Sequence, residues 1–127
     1  MFLAKDVILL SVQQAAAGIT KTVAYLTELP SFTPDIVPDI VARVTVIEAL
    51  VQESTPTKPS QRLALNYLRD TIQDLQQELV ALKEAIETHQ QRWFASWRTL
   101  NTEASRARLL HLRHILDDRL LLYTQVA

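Results

Sequence analysis

Apolar residues recur at steps of three and four along almost the whole chain, the spacing that one buried face of a helix requires. Ile8, Val12, Ala15, Ile19, Val23 and Leu26 make the first such series and predict a helix over about 2–29, ended by Leu29-Pro30. The segment SFTPDIVPD that follows carries Pro34 and Pro38 and reads as a connection. Within it Asp35 is a candidate N-cap whose carboxylate would take free backbone N–H groups and leave Pro38 harmless in the first turn. Ile40, Val44, Ile47 and Val51 then predict a second helix over about 36–53. Its β-branched residues, including Val41, Thr45 and Val46, lower helix propensity and make a strand the competing reading. The 4-3-4 spacing and the lack of turn glycines decide for helix.

Ser54 to Ser60 is a polar loop with Pro56 and Pro59, and beyond it the pattern becomes strict. Leu65, Leu68, Ile72, Leu75, Leu79, Leu82 and Ile86 alternate steps of three and four. The register continues through His89 to Trp93, a heptad seam about 43 Å long, which predicts a third helix over about 60–93. Trp93, Phe94 and Trp97 form an aromatic corner expected to pack over a bundle end. Thr99, Asn101 and Thr102 are acceptable N-caps for a fourth helix over about 101–125, with Leu109, Leu112, Leu116, Leu120 and Tyr123 inward. Four helices joined by short connections predict an all-α, up-down four-helix bundle that takes up residues 1–127 as one domain. The sequence stops inside an apolar pattern, Leu120-Leu121-Leu122-Tyr123, as expected either of the N-terminal domain of a longer protein or of a face given to a partner.

Composition narrows the chemistry. A single Gly in 127 residues leaves no Gly-rich phosphate loop and no dinucleotide fingerprint. With no Cys there are no disulfides, thiolate metal sites or Cys nucleophiles, and a reducing, cytoplasmic setting is the simplest expectation. The six serines sit in no nucleophile elbow. Asp117 and Asp118 are adjacent on a helix and diverge by about 100°, so they cannot flank one substrate bond. His111, His114 and Asp118 share one helical stripe and could in principle offer metal ligands. That stripe lies opposite the apolar face and lacks a second ligand pair, and a solvated His114–Asp118 pair accounts for it. The expectation is a protein with no catalytic residues, no cofactor and no metal.

The formal charge of -1 conceals a polarity, since residues 1–91 hold 7 Lys and Arg against 11 Asp and Glu, whereas residues 92–127 hold 6 against 3. All six C-terminal cations are Arg, whose planar fork pairs with carboxylates and phosphates. Arg98, Arg106, Arg108 and Arg113 are therefore candidates for an anionic partner. The simpler reading pairs them with acidic residues of the third helix, Asp70, Asp74, Glu78, Glu84 and Glu87. A pI near 6.3 with no zinc finger or RNP-like motif argues against nucleic acid.

The order of features resembles the HeLo-like four-helix bundles, the group that includes the mixed lineage kinase domain-like N-terminal domain. The features are a charge-poor, alanine-bearing first helix, a proline-bearing turn, a long heptad third helix, an aromatic corner and a leucine-rich last helix. This resemblance implies an oligomerising, membrane-disrupting cell-death or immune-effector domain, peripheral to an anionic membrane, that inserts Phe2, Leu3, Ile8, Leu9 and Leu10. Gln13 and Gln14 interrupt that first helix, and the cations cluster in the last helix instead of near the N-terminus. A second expectation, of another class, is an adaptor or assembly module that binds a protein partner or itself through an exposed helix face. A third is a small all-α subunit of a ribonucleoprotein complex using its arginines on RNA backbone.

Overall fold

Helix α1 (Ala4–Leu26), α2 (Val37–Glu53), α3 (Pro59–Gln91) and α4 (Glu103–Val126) make up the computed structural model, which describes residues 4–28, 34–91 and 102–126, with side chains from Val7 onward in α1. No strand occurs among the described residues, so the β-branched run of α2 is helical as its spacing predicts. Every position of the three first apolar series is buried, from Ile8 to Leu26, Ile40 to Val51 and Leu65 to Ile86. Removing each such Leu or Ile from water contributes about 1.5–3 kcal/mol, which is what holds four helices of modest intrinsic propensity together. In α4 the inward face is narrower, with Leu109, Leu116 and Tyr123 buried and Leu112 and Leu120 packed against the core half-exposed.

Side-chain pairs fix the directions of the helices. Gly18 lies against Gln76, and Lys83 Nζ sits 5.0 Å from the centre of the Tyr25 ring, so α1 and α3 advance together and are parallel. Asp39 meets Arg113 and Arg43 meets Asp117, so α2 and α4 are parallel too. Arg108 meets Glu78 and Arg119 meets the Tyr67 carbonyl, which makes α3 and α4 antiparallel. The chain thus runs up, down, up, down. Around the bundle the neighbours are α1, α2, α4 and α3, with α2 and α3 on a diagonal, so the Ser54–Lys58 connection crosses the bundle end. This is an all-α four-helix bundle in which the extensive packing lies at α1/α3 and α3/α4, while α2 and α4 approach each other mainly through polar side chains.

The helix ends differ from expectation at one point. Asp35 does not cap α2: Ile36 holds the N-cap position without a side-chain hydrogen bond, and the Asp35 carboxylate turns instead to Arg106 Nε at 3.0 Å. Arg106 adds a full positive charge to its hydrogen bond, which backbone amides at the helix start do not carry. Pro38 does stand in the first turn. Thr102 precedes α4, its carbonyl accepting from the Arg106 N–H at 2.8 Å. The expected aromatic corner at Trp93, Phe94 and Trp97, together with Phe2, Leu3 and Arg98, lies outside the described residues.

Candidate interaction surface

The α2/α4 seam is built from a charge pattern that repeats in opposite order on two parallel helices. Asp39 and Arg43 stand four apart on α2, and Arg113 and Asp117 stand four apart on α4. Side by side, each acid of one helix faces a guanidinium of the other. Arg43 donates to Asp39 at 2.9 Å and to Asp117 at 2.7 Å, and Arg113 donates to Asp39 at 2.9 Å. Arg106 and Asp35 extend the ladder at one end. At the other, the Ser54 hydroxyl donates to the Val51 carbonyl and so accepts its hydrogen bond from the buried Tyr123 hydroxyl. Hydrogen bonds from Arg43 first, then from Arg113, hold the Asp39 carboxyl below its ordinary value, and the hydrogen bond and charge of Arg106 do the same for Asp35.

Three of the four arginines considered for an external anion therefore have carboxylates of their own. Arg106 is on Asp35, Arg108 on Glu78 and Arg113 on Asp39. Of the α3 acids expected to receive them, Glu78 does so, whereas Arg106 and Arg113 turn towards α2, because the parallel neighbour brings its acids level with them. Arg119 likewise faces inward, donating to the Tyr67 carbonyl and to the Thr71 hydroxyl, and lies 5.4 Å from the centre of the Tyr67 ring.

Beside Arg108 a surface recess of about 380 Å³ is lined by Glu78, Ala107, His111 and Leu112. Glu78 is largely shielded and engaged with Arg108, so the recess offers one satisfied ion pair and one imidazole, with no nucleophile beside a base. His114 stands 3.8 Å from Asp118 with both side chains in water. Among the described residues no group of three His, Asp or Glu is placed to hold a metal ion.

What the charges leave uncovered is apolar and gathered at one end. Nine large hydrophobic side chains are exposed among the described residues, and six of them, Val46, Leu50, Leu63, Tyr67, Leu121 and Leu122, belong to one belt. Arg43–Asp117 and Ser54–Tyr123 bracket Val46 and Leu50 at the level of Leu121, and the antiparallel register of Arg108–Glu78 and Arg119–Tyr67 places Leu122 between the levels of Tyr67 and Leu63. The belt therefore passes from α2 across the last turns of α4 to the start of α3. Of the residues considered for membrane insertion, Ile8 is buried in the core, Leu9 is half-buried against it and Leu10 is exposed. The belt was missed by reading each helix alone, since Leu121-Leu122 counts as excess greasiness until α2 and α3 are known to flank it. Comparison with protein-family models, curated proteins and solved structures gives no match to the chain.

Proposed function

We propose that this chain is a non-enzymatic assembly module that docks a protein partner on the apolar belt around the end of α4. The observation that supports it is the clustering itself: six side chains, each 37–57 % exposed, expose roughly 500 Å² together, near the top of what a monomer leaves in one patch. The internal pairing of Arg106, Arg108 and Arg113 favours this reading over the anionic-membrane and RNA readings. A photo-crosslinking amino acid in place of Leu121, compared with the same replacement at the exposed Glu84, tests it in an extract of the source cells. Adducts at 121 and none at 84 are expected; equal yields at both, or none at 121, overturn the reading.

A second reading is favoured by α1, whose stretch Val7–Leu26 reaches a mean hydropathy of 1.3 over 20 residues. A cytoplasmic, membrane-peripheral cell-death or immune role belongs to it. Insertion requires the bundle to open, because Val12, Ile19 and Leu26 of the same helix are fully buried. Leakage from dye-filled anionic vesicles, with neutral vesicles as control, is the test. Leakage confined to anionic vesicles supports this reading, and vesicles of both kinds that stay intact even in mild denaturant that opens the bundle remove it.

A further inference from the structure

An apolar belt of this size is stabilised when a matching surface removes it from water. Resting on the assembly reading, we infer that the occupant is a second copy of this chain, set antiparallel across a two-fold axis between Leu121 and Leu122. Four exposed residues form the ridge of α4 there, in the order Asp118, Leu121, Leu122, Gln125, and they are symmetric in spacing about that midpoint. An antiparallel copy places Leu121 beside Leu121 and Leu122 beside Leu122 of the second copy, and sets Asp118 opposite Gln125, whose amide can donate to the carboxylate. A parallel copy would set Asp118 against Asp118, an opposition of like charges that antiparallel packing separates by about 10 Å along the axis.

The flanks obey the same symmetry. Val46 and Leu50 on one side, and Leu63 and Tyr67 on the other, lie at the level of the midpoint, so the rotation returns each flank to its own counterpart. A self-complementary patch of this kind is what a closed two-fold dimer uses. The area also agrees. Roughly 500 Å² of apolar surface per copy, with the ridge residues between, gives about 1,000 Å² or more in total, the lower bound for a specific interface. That size calls for a reversible dimer.

Sedimentation of the full chain from about 1 to about 200 μM, the range of weak, reversible association to which interfaces at the small end of the size scale belong, is the experiment. The expected result is a mass rising with concentration from 14.4 kDa towards twice that value. Leu121→Glu with Leu122→Glu should hold the chain at the single mass, whereas Val7→Glu with Leu10→Glu on α1 should leave the dimer intact. If the α4 double variant loses its helical circular dichroism, Gln125→Asp serves instead. It sets carboxylate against carboxylate in either arrangement and should weaken association several-fold, whereas adding Asp118→Lys restores association only in the antiparallel one, where the new ammonium then faces the new carboxylate; failure of that rescue overturns the antiparallel pairing. A monomer throughout the range, or a Gln125→Asp dimer with an unchanged dissociation constant, overturns the inference. A monomer that still crosslinks through position 121 to a different protein overturns the second-copy assignment and leaves the assembly reading standing. A monomer with no adduct removes both.

Discussion

Arg43 and Asp117 meet at 2.7 Å across the α2/α4 seam, and their contact sets α4 parallel to α2 in one register. A shift by one turn would bring Asp39 level with Asp117 or, in the other direction, Arg43 level with Arg113, replacing two attractions by one repulsion. The side chains are about two-fifths exposed, so their energy is that of a surface pair, and specificity of alignment is the larger effect.

A double-mutant cycle on Arg43→Ala and Asp117→Ala measures that contact. We expect a coupling of about 0.5 kcal/mol at low salt, shrinking towards zero in concentrated salt as screening sets in. Strict additivity of the two single changes at low salt would mean that the contact adds nothing to stability and does not fix the register.

The acid limb of stability follows from Asp39 and Asp35. Both carboxyls are held below their ordinary value of 3.8 in the folded chain, Asp39 chiefly by Arg43 and Asp35 chiefly by Arg106. A carboxyl with a depressed folded pKa binds fewer protons folded than unfolded, so its contribution is complete above pH 3.8 and declines as pH falls through the folded value. Urea midpoints should therefore be insensitive to these two groups between neutral pH and mild acid and should drop below pH 3.8. Asp39→Asn should be less stable than the parent at neutral pH and should show a shallower acid drop. An equally steep drop in that variant would remove Asp39 from the account.

Gly18 is the sole glycine, and it sits inside α1 where glycine costs about 1 kcal/mol relative to alanine. Its use is steric: a Cβ there would overlap the amide end of the Gln76 side chain on α3. Gln76 is flexible enough to move, so Gly18→Ala alone should change the urea midpoint little, the helix gain offset by the displaced amide. In a Gln76→Ala background the same change should stabilise by about 1 kcal/mol. A gain of equal size in both backgrounds would show that Gln76 does not constrain this position.

How far the fold could be read ahead differs between faces and partners. Ile8 to Leu26 and Leu65 to Ile86 were legible because a three-four spacing states which side of a helix leaves water. The same spacing carries no address, so the diagonal placement of α2 and α3 was not. That address lies in the reversed order of Asp39/Arg43 and Arg113/Asp117, and on each helix alone it looks like an ordinary intrahelical pair. Asp35 misled for a related reason: its residue type suits a cap, but a distant arginine competes for its carboxylate, and distance in sequence hides that competitor. The belt combines these cases, since Leu63, Leu121 and Val46 become one surface only after the neighbours are known.

The arginines give the sharpest division between an internal and an external role. If Arg106 and Arg108 hold Asp35 and Glu78, then Arg106→Glu with Arg108→Glu sets carboxylate against carboxylate at two places and should lower the thermal midpoint by several degrees. Adding Asp35→Lys and Glu78→Lys re-creates both pairs in reverse and should recover most of the loss. Arg113 is left out of this exchange because its partner Asp39 also carries Arg43, so reversing Asp39 would repel that second guanidinium. Arginines kept free for an outside anion behave otherwise. Their reversal would leave the midpoint where it was, and the compensating lysines would restore nothing.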